Sequence, residues 1–388
     1  MTTTSRSNGF RTILISTILF GLYVDASKER VTDRDLLTED GIVERICDAA
    51  LTRHRDDLLS IDPETTILQE GTVLCISGTA GARDIVAKHI VLKLKSGPIT
   101  LLTIESDDTI GDSELIDSDV AILKSPVVGA WFAMNLGSLP RERLGTSAQK
   151  LRPLPIGLNA WRQGNAMDTF LRANGGRNGI RAIRKKQWML INFSPNTIER
   201  RNLLELARSK RWARWTDVAD VGFFDEQPSI KMETNFGALW QRRTSARYYE
   251  TMSAYRFVVC PRGVGLDTHR IWEALYAGVV PILLRSSFAV NGLFHELVEE
   301  GAVLVVDRWE DVTLPLLQLK WADSLNARFA CRIGGRETAV DRILRLSYWS
   351  SRIRSASSRD GRPLPAPDRE RFEHLPRLFS MKATVHQA

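Results

Sequence analysis

The chain has 388 residues, more than one ordinary hydrophobic core accommodates and enough for two domains. Hydrophobic residues make up 43%, a globular share, and no apolar run reaches the roughly eighteen residues of an evident membrane span. The net charge of +7 and pI near 9.3 favour anionic partners, but Lys and Arg are spread along the chain, which argues against a nucleic-acid-binding stripe.

Taken in order, residues 12–24 (TILISTILFGLYV) follow Arg6 and Arg11 and end at Val24-Asp25-Ala26. A basic flank, a short apolar run and small residues read as a secretory signal or a marginal membrane anchor over 1–26, with a buried strand as the alternative. Residues 27–70 are charged, with Ile42, Val43, Ile46 and Ala50 at helix spacing. TVLCIS (72–77) reads as a buried strand, GTAGAR (78–83) as a tight turn and DIVAKHIVLKLK (84–95) as a helix. ITLLTI (99–104) is the next buried strand, and VAIL (120–123) reads as another. Short strands alternating with helices argue for an α/β fold with a parallel sheet covered on both faces.

Pro140, Pro153, Pro155 and NGGRNG (174–179) mark 137–187 as the connection between two domains, 27–180 and 181–350. WMLINF (188–193) is a strand, and Asn196 with Glu199 three residues on suggests a capping box for the next helix. SARYYETMSAY (245–255) is a helix, FVVC (257–260) a strand, THRIWEALYA (268–277) a helix, and VVPILL (279–284) and AVLVVD (302–307) are strands. Residues 337–349 show one helical period, and the basic, Pro-rich tail 351–388 reads as irregular from Arg352. The four cysteines lie far apart and outside any C-x-x-C, so cysteine metal ligation is not expected. Cys75 and Cys260 fall in apolar runs and read as buried free thiols.

The stretch 257–284 carries the chemistry: a strand, a Gly-bearing turn, a helix and a strand. Ligands of open parallel sheets bind at the carboxyl ends of strands, and helix N-termini favour phosphate. Gly263 and Gly265 let the backbone turn and approach a ligand. Asp267 or Thr268 can cap the helix, while Arg262 and Arg270 suit a diphosphate. Ile271, Ala274, Leu275 and Gly278 form the core face. Glu273 lies one turn from His269 and Arg270, placed either to take the hydroxyls of a ribose or to form an exposed pair with arginine.

This stretch resembles the donor domain of exostosin-like glycosyltransferases, whose pattern runs P-x-G-x-G-x-D-T-x-R-x-x-E-A-L-x-x-G-x-x-P. The chain supplies Pro261, Gly263, Gly265, Asp267, Thr268, Arg270, Glu273, Ala274, Leu275, Gly278 and Pro281. Upstream, NFSPNTIERR (192–201) is similar to the family's N-F-S-x-x-T-x-x-x-R, with Arg201 as phosphate ligand, and LPIGLNAW (154–161) resembles its interdomain P-I-G-L element. The resemblance implies two Rossmann-like domains facing across a cleft, the GT-B arrangement. It implies a nucleotide-sugar donor, most often a UDP-sugar, bound by Arg201, Arg262, Gly263, Gly265, Asp267, Thr268, His269, Arg270 and Glu273. A glycan or glycoconjugate would be the acceptor, with no catalytic metal or other cofactor and a place in the secretory pathway or Golgi membrane; a cytoplasmic location is the alternative. The chain departs from the family's T-H-N-S-D after the strand at 99–104, reading Thr103-Ile104-Glu105-Ser106-Asp107. Glu105, Asp107 and Asp108 then stand as candidate bases on the correct loop, or as a solvated acidic loop. Loss of the histidine leaves a second reading, a nucleotide- or glycan-binding protein without catalysis. Trp131, Trp161 and Trp240 are candidates for stacking on sugars or for core packing.

Overall fold

Short apolar runs build two parallel sheets, as the alternation of strands and helices implies. The computed structural model describes residues 35–51, 70–91, 98–111, 115–137, 144–159, 163–209, 212–218, 246–285, 295–324, 332–333 and 336–356. The apolar run at 12–24, Trp161, Trp240 and the tail beyond 356 lie outside these residues.

The first sheet holds β1 (Ala49–Leu51), β2 (Val73–Ser77), β3 (Ile99–Ile104), β4 (Val128–Ala133) and β5 (Leu151–Pro153), side by side in chain order. Every pair is parallel. β2 and β3 are buried along their length, the pattern of strands covered on both faces. One face, with Leu74, Ile76, Leu101 and Trp131, packs under α2 (Ala80–Ile85), the wider π-helical turn Val86–Val91 and α3 (Asp117–Lys124). The other, with Val73, Cys75, Leu102, Ile104 and Phe132, packs under α1 (Glu39–Arg45) and α12 (Leu346–Ala356).

The second sheet holds β6 (Gln187–Ile191), β7 (Thr216–Val218), β8 (Tyr255–Val259), β9 (Val280–Leu284) and β10 (Leu304–Val306), in the order β10-β9-β8-β6-β7 and parallel throughout. Met189, Ile191, Phe257, Val259 and Ile282 face α6 (Ile198–Arg208) and α10 (Leu314–Ser324). Leu190, Val258 and Leu283 face α7 (Ala246–Ser253) and α8 (His269–Tyr276), in a cluster that Leu297 of α9 (His295–Glu299) joins. The expected connection at 137–187 is not without regular structure: α4 (Asn165–Ala173) packs on α7, and Ile180 of α5 (Gly176–Ala182) lies against the turn at Gly278.

The halves are joined through the core. α12, from the end of the described chain, packs on α1, β3 and β4 of the first sheet. The Tyr276 hydroxyl of α8 accepts from the Leu37 amide at 2.8 Å and donates to the Leu344 carbonyl. Gly157 has φ +66°, and a Cβ there would sit 2.6 Å from the Leu37 carbonyl oxygen, so this crossing requires glycine.

Several expectations are corrected. Cys75 is not free: it forms a disulfide with Cys47, tying the residues after α1 to β2. Ala50 lies on β1 rather than on a helix. Residues 120–123 belong to α3: Asp117 and Asp119 sit in its first turn, where carboxylates suit the helix dipole, and Ile122 and Leu123 pack on the first sheet. Thr197, not Asn196, caps α6, its hydroxyl accepting from the Arg200 amide. The period over 337–349 divides into α11 (Ala339–Ile343) and α12, and α12 continues past Arg352 to Ala356 because Trp349 and Ile353 are buried. Trp131 is fully buried, with its indole N–H donating to Thr103, so it packs the core and is closed to a sugar.

Candidate functional site

The strand order creates a particular place. β6 lies between β7 and β8, so the chain leaves β6 to one side and returns on the other. The loops beyond the carboxyl ends of β6 and β8 therefore diverge, the switch point at which open parallel sheets bind ligands. The loop after β6 is 192–197 and the loop after β8 is 260–268.

Arg200, on the first turn of α6, stitches the two loops together. Its Nε donates to the Arg262 carbonyl at 2.9 Å and its Nη2 to the Pro261 carbonyl at 3.4 Å. Its Nη1 donates to Ser194 O at 3.2 Å and Asn196 Oδ1 at 3.0 Å. A Cβ on Gly263 would stand 3.2 Å from Arg200 Nη2, so this glycine leaves room for the guanidinium. Arg262 is half-buried, with Nη2 donating to the Val264 carbonyl at 3.4 Å, and Val264 is exposed. Thr268 occupies the N-cap of α8 with extended backbone, yet its Oγ1 caps nothing: it is shielded from solvent and has no hydrogen-bond partner. The first N–H groups of α8 thus open onto this turn without a side-chain cap.

Beneath the turn lies a buried polar network. Arg270 donates to Asn192 Oδ1 and, at 3.1 Å, to the Tyr248 hydroxyl, which donates to Glu273 Oε2 at 3.0 Å. Glu273 is 1% exposed and Arg270 6%, so neither lines an open cleft and neither forms an exposed pair. Burial works against the Arg270 guanidinium, but Tyr248 and Glu273 outweigh it and hold its pKa above the ordinary value. Cys260, buried beside these groups, has its thiol pushed up by burial and behaves as a small apolar side chain.

The other side of the turn meets the first sheet. Asp267 does not cap α8: its carboxylate accepts from the Ile156 amide at 2.9 Å and from the Trp272 indole at 2.9 and 3.1 Å. Burial raises its pKa to about 7, against those hydrogen bonds. Asn135, just past β4, accepts from the Asp267 amide at 2.8 Å and donates to the Ser106 carbonyl at 2.8 Å. A Cβ on Gly265 would lie 2.7 Å from Asn135 Oδ1, so this glycine makes space for Asn135 rather than for a ligand. His269 Nδ1 lies 2.8 Å from the Gly157 carbonyl. The carboxyl ends of β3 and β4 thus meet the 262–270 turn.

At that end of β3 stand the acidic residues. Glu105 holds φ +54°, and its amide donates to the Glu39 carboxylate at 2.7 Å. Asp107 and Asp108 are exposed, and Asp108 Oδ2 accepts from the Ala80 amide at 3.1 Å, which commits it to the start of α2. Glu39 is the perturbed member: burial first, then repulsion from Glu105, Asp40 and Asp107, raises its pKa to about 7. Ile104 is fully buried in the core.

The structure therefore gathers Arg262, Gly263, Gly265, Asp267, Thr268, His269, Arg270 and Glu273 in and under one turn. Arg201, the expected phosphate ligand, is exposed, and its Nη1 turns to the Pro195 carbonyl at 3.4 Å; Arg200 takes the place beside the turn. The shift of one residue follows from the cap at Thr197, which sets the phase of α6. Arg200, Tyr248, Asn192, Asn135 and Glu39 were not among the expected site residues. Asn192 and Arg200 had a sequence signal, Asn192 as the first residue of the upstream motif and Arg200 as the first of its two adjacent arginines. Among the described residues no group of three His, Cys, Asp or Glu could hold a metal, and no helix is long and apolar enough to cross a membrane. The chain matches no protein-family model and no curated protein.

Proposed function

We propose that this protein is a nucleotide-sugar-dependent glycosyltransferase of the GT-B type. The observation that carries the reading is the turn 261–268 at the switch point between β6 and β8, opening the N-terminus of α8 beside Arg200 and Arg262. The donor diphosphate, most simply that of a UDP-sugar, lies over this turn. It takes the N-terminus of α8 and Arg262, which together stabilise the departing charge. Arg200 positions the turn, and the Arg270–Tyr248–Glu273 network holds α8 beneath it. This makes Glu273 a positioning residue in place of a ribose ligand.

The acceptor hydroxyl of a glycan approaches from the first sheet. Glu39, its pKa raised to about 7 by burial, takes its proton. The Cys47–Cys75 disulfide supports maturation in an oxidising compartment, in line with the secretory pathway. Burial of Ile104, where the resembling family carries histidine, favours a second reading in which the site binds nucleotide without turnover. A screen of nucleotide-sugar donors for transfer or hydrolysis, beside UDP calorimetry, separates the two. Turnover sustains the enzyme, binding without turnover the second reading, and absence of both defeats each.

A further inference from the structure

The two helices that carry the buried network are also tied together at their other ends. α7 leads into β8 and α8 into β9, which are neighbouring parallel strands, and both helices pack on one face of the sheet, so they run side by side in one direction. Their first halves meet through Tyr248, Arg270 and Glu273, beneath the 261–268 turn. Their last residues meet at the opposite end of the sheet, and Lys185, between α5 and β6, reaches both. Its Nζ donates to the Ser253 carbonyl of α7 at 2.8 Å and to the Ala277 carbonyl at the end of α8 at 3.5 Å. The amides of Lys186 and Gln187 donate to the Ala254 carbonyl, just past α7, at 2.8 and 3.2 Å. Gly278, with φ +67°, ends α8 where space is short: a Cβ there would lie 3.6 Å from Lys185 Nζ and 3.0 Å from Ile180 Cγ2.

The last carbonyls of a helix have no partner within it and carry the negative end of its dipole. Parallel neighbours bring two such ends together, and one ammonium with three donors can answer both. The position is costly for a cation: Lys185 is half-buried, and enclosure of its ammonium, then Arg256, push its pKa down to about 7. Among the described residues no carboxylate pairs with it. Methionine would fill the same space without that cost, but would leave the two carbonyls unanswered. What the ammonium adds is a fixed relation between two helix ends, because apolar packing has no direction and hydrogen bonds do. α8 has 8 residues, a length of about 12 Å, so a shift at its C-terminal end is carried to its first turn and to the loop before it.

We propose that Lys185 is a positioning residue: by holding the C-terminal ends of α7 and α8 together, it aligns the Arg270–Tyr248–Glu273 network and, through it, the 261–268 turn. The last step rests on reading that turn as the donor site. The test is a double-substitution cycle on the full chain, with Lys185→Met and Tyr248→Phe alone and combined, followed by urea unfolding and by UDP calorimetry. Tyr248 stands roughly 7–8 Å along α7 from Ser253, a separation at which independent substitutions add. If Lys185 only caps two helices, the midpoint shift caused by Tyr248→Phe is the same with and without it. If it aligns the network, that shift shrinks by about half or more in the Lys185→Met chain. UDP affinity should then fall by about threefold or more in Lys185→Met, although Lys185 lies at the far end of the helices from the turn. Lys185→Gln, which keeps a donor and loses the charge, should give a smaller effect of the same kind and stands in should Lys185→Met not fold. An additive cycle overturns the proposal, as does a coupled cycle with UDP affinity unchanged. Failure of both Lys185 variants to fold overturns it too, since the lysine would then serve the fold and not the alignment. UDP that does not bind the wild type defeats the donor-site reading instead, and the cycle alone then decides whether Lys185 aligns the two helices.

Discussion

Removal of the Glu273 side chain tests the buried network directly. Glu273 is 1% exposed and accepts from Tyr248, whose hydroxyl also receives a hydrogen bond from Arg270. Glu273→Ala strips the acceptor from a buried hydroxyl and the counter-charge from a buried guanidinium. Breaking a buried charge pair from one side costs about 3–5 kcal/mol. In a cooperative unit of one domain's size, where 1 kcal/mol moves the midpoint by about 2–4 °C, this lowers the melting temperature by roughly 6–20 °C. Glu273→Gln keeps an acceptor for Tyr248 and loses only the charge, so its loss should be clearly smaller. Thermal melts followed by circular dichroism, repeated in urea, measure both. A Glu273→Ala protein melting within a degree of wild type would show that the network carries no stability, and the positioning role of Glu273 would fail with it.

Other outcomes follow from the same geometry. Glu39 has a folded pKa of about 7 against an ordinary 4.5, so the folded state binds the extra proton; stability should fall as pH rises from about 4.5 to about 7, and Glu39→Gln should flatten that slope in urea titrations across pH. The Cys47–Cys75 disulfide closes a loop with a separation of 28 residues, for which chain entropy gives about 3–4 kcal/mol, so Cys47→Ser with Cys75→Ser should melt well below the oxidised wild type and be indifferent to reductant. Gly265→Ala places a methyl 2.7 Å from Asn135 Oδ1 and should destabilise by about 1–3 kcal/mol in denaturant unfolding, an effect that Asn135→Ala in the same chain relieves in part.

Much of the architecture is readable from local pattern. The strands at 72–77, 99–104 and 279–284 are continuous apolar runs, and burial on both faces is what such runs encode. The helix at 268–277 is likewise marked by its period. VAIL misleads because four apolar residues suit a strand as well as a helix, and the arbitrating signal, Asp117 and Asp119 in the first turn, lies outside the run. The turn at 261–268 is legible as a site, but the roles of its residues are not. Gly265 yields to Asn135, 130 positions earlier, and Asp267 answers the Ile156 amide; both partners are fixed by tertiary contact, which no spacing encodes. The strand order that makes the switch point is hidden for the same reason, since it depends on which side of β6 the chain returns. Glu39 escapes because a charged residue in a charged segment gives no sign that Glu105 will stand beside it.

The claim that a nucleotide diphosphate binds at the switch point is tested most directly by calorimetry of UDP and uridine on wild type and Arg262→Ala. Arg262 is half-buried, with a single weak backbone contact of its guanidinium at 3.4 Å, so the fold should survive its loss. Wild type should bind UDP more tightly than uridine, and Arg262→Ala should weaken UDP by about 1.5–3 kcal/mol while leaving uridine unchanged. UDP that fails to bind the wild type, or that binds Arg262→Ala equally well, would contradict the account.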